Sequence, residues 1–578
     1  MEAYEYEALP GENYIRIIKL LPGASEDVIQ CNLTAELRHP DQKPYNAISY
    51  VWGEKSALVE IICCGKSMHI TTNLHDALRA IRAKNPGVSV RLWADAMSIK
   101  QTDTEEKNHQ IKGMGIVYQN AAQVHIWLGL DEDSIAQETF KLIQGLNEIL
   151  FHHKSPPNYL SWILLRHLTY DYQHRGLKLA AVMRLPWFSR VWVIQEVALS
   201  RRAQLHWGSA SMDFADLIEL AYKNGLSKHD AKSGLFLDII LIGKSLKASE
   251  VQDHIYAFLG NPLALDDKGH LLIEPDYKKT IEEVNIELAD ALLSCSREAP
   301  YVLSFVQHNS ATDVNDNSFP SWVPRWGNVD TNGRSIFTIG NIGLEQCAGG
   351  GVEKLQYAIY DTKALGAKGM LIEELCWASE TLASDDFALD STRWKASLQA
   401  SDRLYVEILW DEVSLAFSQY MGPDRMLDRA RYSEDFTFTL VTGYRTKEVI
   451  SQKRHEGIIK AYCEVLQGKR KGPSGEHLVS KRQNERANRC ERQFHNCSNR
   501  RFGITKSGGF ALVPRFAQAG DVCAILCGMA TPFILRRADP QIHGEGHYHL
   551  VGEAYIHGAM RGELAEKLDK DKVDLKLI

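Results

Sequence analysis

Asp95, Lys100, Gln101, Glu105 and Glu106 crowd one short polar segment. This mix of carboxylates, an amide and an ammonium suits hydroxyl and phosphate groups. A second candidate lies in PWFSRVWVIQEVALSRR, which opens at Pro186 and sets Trp192 and Glu196 one helical turn apart. A carboxylate against an indole has little solvent to screen it and acts strongly on a nearby cation. Tyr50 and Trp52, in YNAISYVW, could add aromatic walls. Each residue also has a plain structural reading. Glu196 could be a half-exposed helix carboxylate pairing with Arg190 or Arg201. Asp95 could cap the loop after its strand, and Glu105 suits a helix N-terminus. Tyr50, Trp52 and Trp192 could be core. His109 and His125 read as surface or core histidines.

The elements that position these residues follow from periodicity. Val88, Val90, Leu92, Ala94 and Ala96 alternate, which predicts a strand. Thr102 and Glu105 are spaced as a capping box. Ile111, Met114, Tyr118 and Ala121 then recur at helical spacing, and Val124, Ile126 and Leu128 resume the alternation. Strand, helix and strand in so short a span make a βαβ unit and predict a parallel sheet covered on both faces. The polar segment lies just past the carboxyl end of a strand, where open α/β sheets bind ligands. Residues 45–50 predict a first strand in the same sheet. Residues 59–70 predict a hairpin turning at Gly65-Lys66, followed by a helix capped by Thr72. Gly65-Lys66-Ser67 is not a phosphate loop, because the position that needs glycine holds Glu60. The absence of G-x-G-x-x-G after the first strand argues against redox use of a dinucleotide.

The totals set bounds. The 578 residues suffice for several domains and a sizeable core. With 44% apolar and 24% charged residues, the chain has the composition of a soluble globular protein. A net charge of -7 gives no global reason to bind nucleic acid or anionic membrane. The 11 cysteines are scattered, without disulfide or zinc spacing, so reduced thiols and no metal are expected. Neither a signal pattern nor a membrane-spanning run is present, which points to a cytoplasmic protein. The expected organisation is an α/β domain over 1–210, a mainly helical region over 211–466, a basic flexible loop over 467–502 and a β-rich module over 503–578. Residues 330–375 read as glycine-rich and irregular. The basic loop lacks the aromatic interleaving of a nucleic-acid arm.

YNAISYVWG, LWADAMSIKQTDTEEKNHQ, MGIVYQNAAQVHIWLG and PWFSRVWVIQE resemble, in order, the motifs of the heterokaryon-incompatibility (HET) domain of filamentous fungi. Later segments, DHIYAFLG, FPSWVPRW and YHLVGEAYIHG among them, resemble those that follow the domain in such proteins. The resemblance implies a programmed-cell-death or innate-immunity effector whose N-terminal sheet is TIR-like, that is flavodoxin-like. Some TIR domains hydrolyse NAD. By that likeness Ser49-Tyr50 ends the strand whose following loop lines the nucleotide pocket, and Trp192 and Glu196 match the helix that supplies the catalytic glutamate. The residues themselves add Trp52 as an aromatic wall and, from βα-loop geometry, Asp95, Lys100, Gln101 and Glu106 to the expected nucleotide site. The chain departs from the usual HET pattern at Lys100 and Lys107, and Val193 stands where TIR domains have cysteine. NAD would be substrate, with no cofactor and no metal. The alternative is a non-catalytic module that kills by self-association or by binding an incompatibility partner. If Glu196 is catalytic, it is expected to be only half-buried, so that it stays ionised, and Asp95, Gln101 and Glu106 are expected to share a cleft with Tyr50.

Overall fold

The computed structural model describes residues 1–39, 42–54, 56–150, 181–223, 235–244, 246–326, 348–349, 357–360, 364–383, 387, 405–422, 429–442 and 494–578. The chain divides into two compact units, Met1–Val284 and Asn285–Ile578.

The first unit holds β1 (Tyr14–Leu20), β2 (Gln30–Leu37), β3 (Asn46–Tyr50), β4 (Leu58–Cys63), β5 (Lys66–Thr71), α1 (Thr72–Lys84), β6 (Val90–Trp93), α2 (Asp95–Ser98), α3 (Thr104–Asn120), β7 (Gln123–Trp127), α4 (Ala136–Leu150), α5 (Val193–Ala198), β8 (Ala203–Trp207) and β9 (Ala210–Asp213). The strands form one sheet in the order β5-β4-β2-β1-β6-β3-β7-β8-β9. The three strands expected to share a sheet, β3, β6 and β7, are neighbours in it and run parallel, and β8 continues the parallel set. The sheet is mixed rather than purely parallel. β1 runs antiparallel to β6 and β2, and β9 runs antiparallel to β8.

β3 is buried on both faces, as a central parallel strand must be. On one face Ile48, Tyr50 and Trp127 pack with Leu74, Ala77, Leu78 and Ile81 of α1. On the other, two hydroxyls tie α3 to β3 and to the residue just before it: Tyr45 donates to the Val117 carbonyl (2.6 Å) and Tyr118 to the Ile48 carbonyl (3.1 Å). The β4–β5 hairpin turns one residue earlier than expected, at Cys64-Gly65, both with positive φ (54° and 78°). That is the primed turn whose twist matches paired strands. The cap of α3 is also displaced. Asp103, not Thr102, accepts the Glu106 amide (3.1 Å).

The second unit holds β10 (Tyr357–Tyr360), β11 (Ala364–Ala378), β12 (Arg500–Thr505), β13 (Phe510–Pro514), β14 (Val522–Leu526), β15 (Pro532–Arg537), β16 (His547–Glu553), β17 (Tyr555–Ile556) and β18 (Val573–Leu577). β11, β14, β15, β16 and β18 pair in a closed ring, so none of the five presents a free edge within it. Two expectations need correction here. The region over 211–466 does contain helices, Phe214–Lys223 and Tyr405–Met421 among them, but β11 crosses it as a 15-residue strand. Glycine hid that strand by diluting the alternation. Gly369 is required there, because a Cβ would lie 2.6 Å from the Ile525 carbonyl oxygen. The basic stretch 467–502 lies outside the described residues up to 493. Its end is not a solvated loop: Phe494, Cys497 and Phe502 are buried, and Arg500 opens β12.

Candidate functional site

Ser49 and Tyr50 end β3 and are 0% and 1% exposed. The Ser49 hydroxyl donates a short hydrogen bond to Glu196 and accepts one from the Trp187 indole (2.7 Å). Trp187 sits in a 3₁₀ turn, Pro186–Ser189, whose first residue is the proline that fixes φ for it. Arg190 follows the turn. Its guanidinium donates to the Tyr50 carbonyl and lies 3.7 Å from a Glu196 oxygen. Glu196 itself is 2% exposed.

Close packing of α5 on α3 fixes where Glu196 sits. Gln195 fits between Gly115 and Gly260, where an added Cβ would meet the end of its amide at 2.9 Å and 2.3 Å. With the amide turned to suit both neighbours, Gln195 donates to the Ala257 carbonyl (3.2 Å) and accepts from the Gly115 N–H (3.0 Å).

The carboxyl end of β6 brings a second acid to the same place. Asp95, first residue of α2, accepts from the Trp52 indole (2.7 Å) and from the Ala96 N–H (2.8 Å). Gln101 donates to the Asp95 carbonyl (3.0 Å). The Tyr50 hydroxyl is buried without a hydrogen-bond partner of good geometry, but it is close enough to Asp95 for that charge to help push its pKa well up, after burial itself.

Two carboxylates therefore share one guanidinium. Burial raises Glu196 to about 7, against the lowering pull of Arg190 and of the Ser49 hydrogen bond, and Asp95 raises it further. Burial also raises Asp95, with Arg190 and Trp52 opposing. Arg190 is held protonated: burial works against its charge, but Glu196 and Asp95 outweigh it. With two acids and one base out of water, the cluster holds one surplus negative charge when both acids ionise. Near neutral pH it relieves that by binding a proton at Glu196.

Tyr50, Trp52, Asp95, Gln101 and Glu196 thus gather at the carboxyl edge of β3 and β6. The other expected site residues stand apart by their contacts. Glu106 is committed to Arg16 (2.5 and 2.9 Å) and to the Lys100 N–H (2.7 Å). Arg16 also donates to the carbonyls of Ser98 (3.1 Å) and Glu7 (2.7 Å), so Glu106 clamps β1 to the loop before α3. The Lys100 ammonium is 3.9 Å from Asp103. Trp192 precedes α5 and turns its indole to Asp253, which also accepts from the Tyr277 hydroxyl (2.6 Å). The tryptophan wired to Glu196 is Trp187, through Ser49. Glu196 is fully buried rather than half-buried, because the turn from Pro186 to Arg190 lays Trp187 and Phe188 into the core beside it. Of the two pairing partners open to it, Arg190 is used, and Arg201 is exposed. Sequence reasoning passed over Trp187. The available signal was a serine inside a doubly buried strand, which needs a hydrogen-bond partner.

Among the described residues no three or more His, Cys, Asp or Glu side chains are grouped to hold a metal. No described helix is long and apolar enough to cross a membrane.

Residues 45–196 match the family of heterokaryon incompatibility proteins (HET), a span that contains all of these site residues. Residues 442–577 match the Het-6 β-barrel domain, whose span takes in most of the closed ring. Over 96% of this chain and 95% of its own length, heterokaryon incompatibility protein 6, OR allele, of Neurospora crassa is 23% identical to it. No solved structure matches the chain.

Proposed function

We infer the function of this chain from the premise that it is a fungal HET-domain protein with a Het-6 barrel: it acts in heterokaryon incompatibility, a response that ends in cell death. We further propose that its toxic act is cleavage of NAD at the centre around Glu196. The observation that carries this is a buried glutamate of perturbed pKa, held by Ser49, Arg190 and Trp187 where the parallel strands end. Numbered along the chain, the four contiguous parallel strands β6, β3, β7 and β8 lie in the order 2-1-3-4. That order supports a flavodoxin-like, hence TIR-like, domain, with its switch point between β3 and β7.

In the proposed reaction the bond between the nicotinamide nitrogen and ribose C1′ breaks. The electron pair leaves with the ring, which departs neutral, so no general acid is needed. Water adds to C1′ and gives up a proton, leaving ADP-ribose and nicotinamide. Ionised Glu196 stabilises the oxocarbenium ion between these events. The positive pyridinium lowers the Glu196 pKa as it binds, which keeps the carboxylate charged. Tyr50 and Trp52 serve as walls, and Asp95 and Gln101 meet ribose hydroxyls. Lys100 and Glu106 would reach the ligand only by leaving their present partners. The burial of Glu196 and its pairing with Arg190 favour a second reading, in which the HET domain signals by assembling with itself or a partner. Purified protein is to be incubated with NAD over a wide range of protein concentration while free nicotinamide is measured. Release that steepens with concentration supports an assembly-activated NADase. A protein that still kills cells but releases nothing supports the second reading.

A further inference from the structure

The innermost groups of the Glu196 centre are closed to water. The Glu196 side chain is 3% exposed, and Ser49, Tyr50 and Trp187 are buried. Arg190, Asp95 and Trp52 are partly exposed, the Arg190 side chain to 17%. These three form the mouth of the centre. The Arg190 guanidinium stands in it, 3.7 Å from a Glu196 oxygen and inside the field of Asp95. The chain uses this guanidinium sparingly. An arginine has several N–H donors in a fixed fork, yet among the described residues Arg190 makes one side-chain hydrogen bond, to the Tyr50 carbonyl. Glu196 pairs with it by charge from beyond hydrogen-bond reach. Arg16, an arginine that builds structure, differs. It is 3% exposed and hydrogen-bonds to both Glu106 oxygens and to the Ser98 and Glu7 carbonyls.

The backbone that carries Arg190 is fixed. The Arg190 N–H donates to the Trp187 carbonyl (3.2 Å), the Val191 N–H to the Lys247 carbonyl (3.0 Å) and the Lys247 N–H to the Ser189 carbonyl (2.6 Å). Only the side chain is free to leave, by rotation into water, where a guanidinium keeps its charge at little cost. Its departure would leave two acids facing an open space the size of a small planar cation. We propose that Arg190 is a built-in stand-in for the substrate's cation: its guanidinium fills the place of a flat, delocalised organic cation against Glu196 and holds the centre closed until the side chain swings out. That the cation is the pyridinium of NAD rests on the reading of this centre given above. While Arg190 is in place, an entering cation meets like charge. Once it is gone, a neutral molecule of the same shape leaves the acids uncompensated, and an anion is repelled.

N-methylpyridinium is the probe, being flat, permanently charged and close in size to the Arg190 side chain beyond Cβ. Toluene is its uncharged isostere. Binding is read by ligand-observed NMR on the full chain at pH 8. Arg190→Ala is expected to bind N-methylpyridinium at least tenfold tighter than wild type does, and at least tenfold tighter than it binds toluene. Arg190→Ala with Asp95→Asn removes one acid along with the base, so the net charge of the centre is unchanged and Glu196 is the acid that remains. It is expected to keep the preference for the cation. Far-UV circular dichroism identifies folded variants, and a variant unfolded in buffer is expected to fold when N-methylpyridinium is added, because a ligand of the native state alone shifts the equilibrium. Wild type binding the cation as tightly as Arg190→Ala, toluene binding as well as the cation, or neither variant binding it would each overturn the proposal, as would a variant left unfolded by it. Nicotinamide release from NAD by the same proteins separates the proposal from the reading it rests on. Arg190→Ala is expected to be at least tenfold faster than wild type at the lowest protein concentration. An active wild type with a folded Arg190→Ala that is no faster overturns the closing role of Arg190. Cation binding by Arg190→Ala with no release from any of the proteins sinks NAD cleavage and leaves Arg190 as the stand-in for another planar cation.

Discussion

At the residue scale the Glu196 centre makes a pH-dependent demand on the fold. The Glu196 carboxyl has an ordinary value of 4.5 and is raised to about 7 in the folded chain. Its stabilising contribution is whole below pH 4.5 and is lost as pH rises through 7. Denaturant unfolding should therefore show the wild type losing up to about 3 kcal/mol relative to Glu196→Gln between pH 5 and pH 8. Parallel curves for the two proteins would place Glu196 in water. Ser49 pulls in the opposite direction, since its hydrogen bond lowers the Glu196 pKa. Ser49→Ala should raise that pKa and move the acid limb of the proposed activity to higher pH. An unmoved limb in a folded variant would dissociate the limb from Glu196. The acid itself was legible in RVWVIQE, but its neighbours were not. Trp192 and Trp187 look alike in a string of letters, and only the turn after Pro186 decides which faces Ser49.

At the element scale, the packing of α5 on α3 is what locates the centre. Gly260→Ala sets a methyl 2.3 Å from the end of the Gln195 amide. It should cost about 1–3 kcal/mol of stability, the usual range for overpacking, and should also disturb Glu196, one residue on. A fully stable, fully active variant would show that α5 has room to move. Arg16→Met leaves the Glu106 carboxylate, 11% exposed, with the Lys100 N–H but without its charged partner. A loss of about 1–3 kcal/mol in chemical denaturation is expected for a part-buried carboxylate deprived of its guanidinium. The parallel core was legible because β6 and β7 lie in alternating runs on either side of a helical pattern, and β3 lies in the largely apolar run YNAISYVW. β1 and β2 were passed over, although Ile15, Ile17 and Ile18 are buried. The run YIRIIKL mixes two faces at its centre, and its pairing with β2 and β6 is a long-range fact.

At the scale of the whole molecule, the β-rich character of the C-terminal unit was readable from alternating runs such as DVCAIL and PFILRR. Its closure was not. The ring needs β11, near residue 370, to meet β14 and β18, far along the chain, and local periodicity carries no record of such pairings. The HET match and the barrel match fall on different stretches of the chain, and the relative from Neurospora crassa aligns with 96% of it at 23% identity. What the Glu196 centre does is the claim to test. The most direct measurement is the rate of nicotinamide release from NAD by the full chain, for wild type and Glu196→Gln, from pH 5 to pH 9. With NAD well below saturation, the expected result is a wild-type rate that falls as pH drops below about 7, and a Glu196→Gln rate lower by about two orders of magnitude or more above pH 7, with the gap closing toward pH 5 as Glu196 itself becomes neutral. An active wild type with an equally active Glu196→Gln variant would contradict the assignment of Glu196.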